Sequence, residues 1–365
     1  MKVLIAIDSF KGSLSSLEAG ETVAAAAREA GFDPTVCPMA DGGEGTLDAF
    51  FAARGGEIVE VRVSSPLGEV VTAKYLVSGR RAVIESAEAA GLTLSPERDV
   101  MRASTCGLGE LIRDAIGRGC RDFTVGLGGS ATNDGGTGML ASLGYRFTDE
   151  AGEAIPLGAA GLERLAHIGR DATLPELSEC TFRVLCDVKN PLCGPLGCSA
   201  VFAPQKGATP EQVKTMDAWL ARYAALAGGD PDEPGAGAAG GLGYAFMNFT
   251  DAALVPGIDT LIDEAGLEGL IRDCDLVVTG EGKIDRQSAM GKVPAGVAAC
   301  AKKYGKKVIA FCGIAGEGAE EMYSLGVDAI FPILRHITTL EEAMRPETAH
   351  ENLAFTARQV FSLIK

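Results

Sequence analysis

Three continuous apolar runs, Val3–Asp8, Leu276–Thr279 and Val308–Cys312, constrain this chain more than any other feature. Each ends in a glycine or polar turn and leads into a helical pattern, near Ser16–Ala30, Pro294–Lys303 and Glu317–Leu325 respectively. Ala329–Ile333 reads as one further strand. A strand that is apolar on both sides must be covered on both sides. Such runs therefore predict a buried parallel sheet wrapped by helices, the doubly wound α/β arrangement. Because these units occur at both ends of the sequence, the chain is expected to leave the sheet and return to it.

The middle reads differently. Glu57–Ser64, Glu69–Val77 and Arg81–Glu85 are short runs split by Pro66-Leu67-Gly68 and Ser78-Gly79, the pattern of antiparallel strands. Further α/β units follow at Phe123–Val125, Arg183–Cys186 and a helix near Pro210–Ala227, whose Thr209-Pro210-Glu211 start suits an N-cap with proline at N1. The expected fold class is α/β with two domains. A Rossmann-like parallel-sheet domain, residues 1–56 plus 256–365, is split between the termini, and a mixed α/β domain, residues 57–255, is inserted in it. By composition alone the glycine-rich stretch Gly228–Gly243 reads as a flexible linker.

Charge and cysteine usage exclude several classes. With 49 Asp+Glu against 33 Lys+Arg the net charge is −16, which opposes nucleic-acid binding because that depends on neutralising phosphates. Local glycine loops and a few lysines can still hold one small anion. No apolar stretch is long enough to span a membrane, and the N-terminus does not read as a signal peptide, so a cytoplasmic location is expected. The ten cysteines are dispersed without a C-x-x-C pair and read as reduced, small hydrophobes. His167, His336 and His350 are scattered, which argues against zinc and Ser-His-Asp chemistry.

Five strand-end clusters carry the chemistry. In open parallel sheets, ligands bind beyond the carboxyl ends of the strands. Asp8-Ser9-Phe10-Lys11-Gly12-Ser13 precedes a helix N-terminus whose amides favour an anion, with Lys11 as a point charge. Asp41-Gly42-Gly43-Glu44 offers carboxylates for Mg²⁺ or a substrate hydroxyl, or else a helix cap. Gly126–Gly136 (GLGGSATNDGG) contains the loose dinucleotide pattern G-x-G-x-x-A, with Asp149 about twenty residues on. A nicotinamide-dependent hydroxy-acid oxidoreductase is thus one alternative. The loop's extra length and its Asn133 and Asp134 favour a metal-nucleotide or hydroxy-acid site instead. Asp187 and Asn190 follow the fourth strand end, and Glu281, Asp285 and Lys292 follow the fifth beside Gly280 and Gly282. The P-loop and protein-kinase signatures are missing. Together the clusters suit phosphoryl transfer. Glycines admit phosphate to backbone amides, acids hold Mg²⁺ or orient a hydroxyl, and lysines offset charge.

DSFKGSLSS (Asp8–Ser16), PMADGGEGT (Pro38–Thr46), GLGGSATNDGG (Gly126–Gly136) and CDVKNPL (Cys186–Leu192) resemble the glycerate kinase family of bacterial type. So do GPLGCSAVFAPQKGA (Gly194–Ala208), GAGAAGGLG (Gly235–Gly243) and TGEGKIDRQSAMGKVPAGVA (Thr279–Ala298). Lys283 and Ser288 look like conservative replacements of Arg and Thr within that pattern. The resemblance implies ATP- and Mg²⁺-dependent phosphorylation of D-glycerate in a cleft between two α/β domains. The implied product is 2-phosphoglycerate, with 3-phosphoglycerate from a glycerate 3-kinase as the alternative. A non-catalytic sugar-acid sensor is the remaining rival class. It also implies that Gly235–Gly243 is an ordered loop near the cleft. The expected catalytic residues are Lys11, Asp187 and Asp285, with Asp187 or Asp285 as the base. Expected ligand-binding residues are Asp8, Ser13, Asp41, Gly42, Gly43, Glu44, Gly128, Gly129, Ser130, Asn133, Asn190, Gly280, Gly282 and Lys292, and the expected metal ligands are Asp134 and Glu281. The expected partners are glycerate and ATP, and a homo-oligomer stays open.

Overall fold

The computed structural model describes residues 1–365. It divides into two compact units, Met1–Gly55 with Pro256–Lys365, and Gly56–Val255. The chain supplies β1 (Lys2–Ile7) and β2 (Asp33–Val36) to the first unit. It then builds the second unit from β3 (Glu57–Ser64), β4 (Val70–Ser78), β5 (Arg81–Glu85), β6 (Asp122–Gly126), β7 (Arg146–Thr148), β8 (His167–Gly169), β9 (Thr181–Leu185) and β10 (Ala253–Val255). It returns to the first unit with β11 (Leu276–Ile284), β12 (Lys307–Ala315) and β13 (Ala329–Pro332).

The first unit is a five-stranded sheet in the order β13-β12-β11-β1-β2, with every pair parallel. Numbered within the unit this is 2-1-3-4-5, a doubly wound order whose direction of winding changes between β1 and β11. Both faces of β1 are buried. Val3, Ile5 and Ile7 join a core with Ala19, Val23 and Ala27 of the helix Ser16–Glu29 and Leu353 and Phe361 of the helix Pro346–Ile364. Leu4 and Ala6 face the other way and are equally covered. The continuous apolar run follows from that double burial.

The second unit is a six-stranded mixed sheet, β10-β9-β6-β5-β4-β3, with a separate antiparallel ribbon of β7 and β8. Strands β3, β4 and β5 are antiparallel, whereas β5, β6, β9 and β10 pair in parallel. Its core is rich in aromatics, including Phe123 stacked on Phe182 at 4.8 Å between ring centroids. The helix Pro210–Ala227 opens as its sequence predicts. Thr209 caps the Gln212 N–H, Gln212 returns the bond, and proline occupies the first turn.

Two readings change. The run beginning at Leu276 does not end at Thr279 but continues as strand to Ile284, in register with β12 as far as Ala315. Glycines permit this: a Cβ on Gly280 would lie 2.2 Å from the Phe311 carbonyl oxygen of β12. The stretch Gly235–Gly243 is not a linker. All of it but Ala239 is buried, and the Gly237 N–H and Tyr244 N–H are bonded to Asn190 O and Ala236 O. No helix is long and apolar enough to cross a membrane.

Candidate active site

In the first unit the carboxyl ends of β1 and β11 meet where the winding reverses. Ile7 pairs with Gly280, so Asp8 and Glu281 fall at the next step of the same register. The Asp8 N–H is bonded to Gly280 O at 2.9 Å. The chain leaving β2 stays alongside, with Cys37 N–H on Ile5 O and Met39 N–H on Ile7 O, and delivers Asp41 to the same edge. Lys11 Nζ lies 3.4 Å from Asp41 Oδ2. Asp8 is 1% exposed and Glu281 6%, while the Lys11 side chain is 56% exposed.

Burial sets the electrostatics of this cluster. It raises Asp8 well above the usual carboxylate range, and Asp41 and Glu281 add to the rise against Lys11 and the Ser9 N–H. Burial likewise raises Glu281, with Ser288 and Lys292 opposing and Asp41 reinforcing. Burial pushes Lys11 down, but Asp41, Asp8 and Glu281 outweigh it, and the lysine is held as a cation. Asp8 Oδ2, Glu281 Oε1 and the hydroxyls of Ser9, Ser13 and Thr279 are buried with no protein partner. Each such atom costs about 1–3 kcal/mol when left unsatisfied. Five on β11 and the loop after β1 mark a place built to meet something else.

Several predicted residues take other duties. Asp285 is tied to Lys283 at 2.9 Å and to the Gln287 N–H, and chiefly Lys283 holds it below the usual range. That pairing occupies Oδ2 with Lys283 and Oδ1 with the Gln287 N–H, which weighs against Asp285 as the base. The amides of Ser13 and Leu14 both go to Phe10 O, and Ser15 and Glu18 form a capping box on the helix Ser16–Glu29. An anion at that terminus would find those donors taken; Ser13 offers only its unpaired hydroxyl. Gly280 serves the β11–β12 approach, and a Cβ on Gly282 would make ordinary contact with Phe10. Gly42 is buried at φ 90°, Gly43 accepts from Thr46 Oγ1, and Glu44 is exposed. Lys292, half-buried, is the residue before the helix Val293–Lys303.

In the second unit, the loop after β6 has two halves. From Ala131 to Gly136 every residue is buried. Asp134 accepts from Thr105 N–H and Oγ1 at 2.9 Å each, from Gly136 N–H at 3.1 Å and from Gly138 N–H at 3.3 Å. Burial still leaves its pKa raised. Oδ2 takes three of these donors and Oδ1 the fourth, and the side chain is wholly buried, so the structure gives Asp134 the role of an anchor for the loop, which weighs against it as a metal ligand. Asn133 donates to Ser199 Oγ at 2.8 Å and is wholly buried, with its Oδ1 left without a protein partner. The nicotinamide reading fails here too. Asp149 pairs with Arg164 and the amides of Ala151 and Glu153, which leaves it no free edge for a ribose. The other half, Gly128–Ser130, reaches the surface at Gly129, which is exposed; Gly128 is half-buried and Ser130 buried, and no protein acceptor takes the N–H of Gly128, Gly129 or Ser130. Asp187 is exposed beyond β9, and Asn190 braces its own loop through Nδ2 to Leu196 O at 2.8 Å.

The glycerate kinase family pattern matches residues 3–365. The chain belongs to the glycerate kinase family. It is 43% identical to the glycerate 2-kinase of Escherichia coli K12, over 99% of this chain and 97% of that one. It is 42% identical to the glycerate kinase of Haemophilus influenzae, over 99% and 98%. A crystal structure described as a candidate glycerate kinase 2 from Salmonella typhimurium LT2 superposes with a TM-score of 0.84 at 45% identity, covering 100% and 98%.

In this glycerate kinase family member, sequence reasoning passed over Lys206. It is 2% exposed, and its Nζ donates to Ser130 Oγ at 2.9 Å and Thr132 O at 2.7 Å. Burial lowers it to about 8, with Cys198 and Asp134 pulling the other way. A single lysine reads as solvated surface. The only signal was its place between Pro204-Gln205 and Gly207 in a segment that shared the family pattern.

Proposed function

We propose that this protein transfers the γ-phosphoryl group of ATP to the C2 hydroxyl of D-glycerate, giving ADP and 2-phosphoglycerate. The observation that carries the reading is the cluster of Asp8, Asp41 and Glu281 around Lys11 at the winding reversal, with buried carboxylate oxygens that no protein group satisfies. Support for the acceptor and its position comes from the full-length likeness to the relative named glycerate 2-kinase.

An anionic substrate cannot approach three carboxylates without cations between them. Lys11 is one. The unpaired Glu281 Oε1 and Asp8 Oδ2 fit a second, Mg²⁺, which takes one or two carboxylates and completes its shell with phosphate oxygens and water. When bound, the ion neutralises charge on the transferring phosphoryl group. Lys11 holds the glycerate carboxylate or a phosphate oxygen. The hydroxyls of Ser9, Ser13 and Thr279 supply donors or acceptors to the bound acid. The open amides of Gly128–Ser130 take the nucleotide phosphates, and Asp187 orients the accepting hydroxyl. Phosphoryl transfer asks mainly for this positioning and charge compensation.

The reaction takes place in the cytoplasm, a reading supported by ten unpaired cysteines, which suit a reducing compartment. ADP release from ATP and Mg²⁺ should depend on D-glycerate, and NAD(P)⁺ with glycerate should show no absorbance change. ADP at the glycerate-free rate would sink the proposal.

A further inference from the structure

The glycine loop that ends β6 is held from below by a buried cation. Lys206 lies in the short 3-10 turn Pro204–Lys206, and its ammonium reaches across to Ser130 Oγ and Thr132 O, 2.9 and 2.7 Å away. These two bonds straddle the step at which the loop passes from its open half to its buried half. A protonated lysine can only donate. Ser130 Oγ must therefore accept from Nζ, which leaves the serine hydrogen for another acceptor. No protein acceptor takes it, and the N–H groups of Gly128, Gly129 and Ser130 are equally unclaimed. Four unclaimed donors thus lie at a turn that a buried ammonium braces through Ser130 Oγ and Thr132 O.

We propose that Lys206 is a positioning residue for nucleotide phosphate, fixing the Gly128–Ser130 turn and obliging the Ser130 hydroxyl to donate outward. This rests on the reading that the turn takes the phosphates of ATP. An anion is the acceptor such a set of donors fits. Burial of an ammonium costs stability, and the fold accepts that cost without pairing Lys206 to a carboxylate at hydrogen-bond distance. Neutral Lys206 could accept from Ser130 as well as donate, and the hydroxyl would no longer be obliged to point outward. Since burial brings this lysine to about 8, the device should weaken in mildly alkaline solution.

The groups facing Lys206 do not confuse that test. Asp134 already accepts from four protein donors, burial pushes the Cys198 thiol up to about 12, and Arg98, beside the turn on Gln205 O, is a permanent cation.

The test is calorimetric titration of the folded protein with ADP and Mg²⁺ from pH 7 to 9.5, alongside KM for ATP and for glycerate. Wild type should lose ADP affinity as pH rises through about 8. Lys206→Met should bind ADP about tenfold more weakly at pH 7, the loss expected for a hydrogen bond to a charged group, with a flat pH profile. Its KM for ATP should rise while its KM for glycerate stays within about twofold. Should Lys206→Met fail to fold, Ser130→Ala, which keeps the lysine and its bond to Thr132, should show the same selective loss. ADP affinity equal to wild type in a folded Lys206→Met, or in Ser130→Ala, would overturn the proposal. Wild type that binds no ADP would instead overturn the phosphate reading beneath it.

Discussion

Asp8 is 1% exposed, accepts the Ser9 N–H at 2.7 Å through Oδ1, and leaves Oδ2 without a protein partner. Burial first, then Asp41 and Glu281, raise its pKa well above 3.8, so its ionised form is costly. The sign follows from linkage: the folded state keeps the proton after the unfolded state has lost it. Stability linked to Asp8 is therefore full below about pH 4 and is lost as pH rises through the raised value. Asp8→Asn, measured by thermal unfolding at pH 7 with chelator present, should raise Tm while glycerate-dependent turnover falls by at least about a hundredfold. A lowered Tm would contradict this account of the site. Asp134 should behave oppositely. Replacing it with Ala strands four donors, so Asp134→Ala should destabilise the fold by about 3 kcal/mol or more, read from urea unfolding. A variant of native stability with only Mg²⁺ affinity changed would restore it as a ligand. For Asp187 the test is kinetic. Asp187→Asn should lower kcat by about 10²–10⁴, and near wild-type turnover would remove it from the site.

At the scale of the element, β11 joins fold and chemistry. Its alternate residues carry Thr279 and Glu281 to the site, while Gly280 between them lets β12 come close. Gly280→Ala would put a Cβ 2.2 Å from Phe311 O and should cost about 1–3 kcal/mol or more. Gly269, in the helix Leu267–Asp273, has open space around its Cβ, so Gly269→Ala should add roughly 0.5–1 kcal/mol. Equal effects from the two in chemical denaturation would contradict this packing. Legibility followed the same physics. Val3–Asp8 could be read as strand because burial had written a continuous apolar run into it, and Arg81–Glu85 because the Ser78-Gly79 turn sets off its short apolar centre. Asp33–Val36 could not, since a four-residue edge strand containing Pro34 carries no such run. The strand through Gly280-Glu281-Gly282-Lys283 was read as loop, because glycines chosen for close approach look locally like turn residues.

On the scale of the whole molecule, the chain crosses between its two units only twice, and each unit holds a complete sheet. The acids at the winding reversal belong to the first unit and the glycine turn held by Lys206 to the second. Asp8 and Glu281 could be found from sequence because each follows an apolar run, and Asp41 because two glycines follow it. The distinction between a structural Asp134 and a ligand-facing Asp8 could not, because both are aspartates in a loop that follows an apolar strand. Only their bonding differs, four donors against an empty Oδ2. The net charge of −16 rules out nucleic acid as a partner in the sequence reading, yet the proposed ligands are small anions. Local cations resolve that contrast: Lys11 in one unit and Lys206 in the other. The central claim is phosphoryl transfer to the C2 hydroxyl of glycerate. Its most direct measurement is ³¹P NMR of the product formed from ATP, Mg²⁺ and D-glycerate. The account predicts a phosphomonoester doublet from coupling to the single C2 proton. A triplet from a CH₂ group, or no glycerate-dependent phosphomonoester, would contradict it.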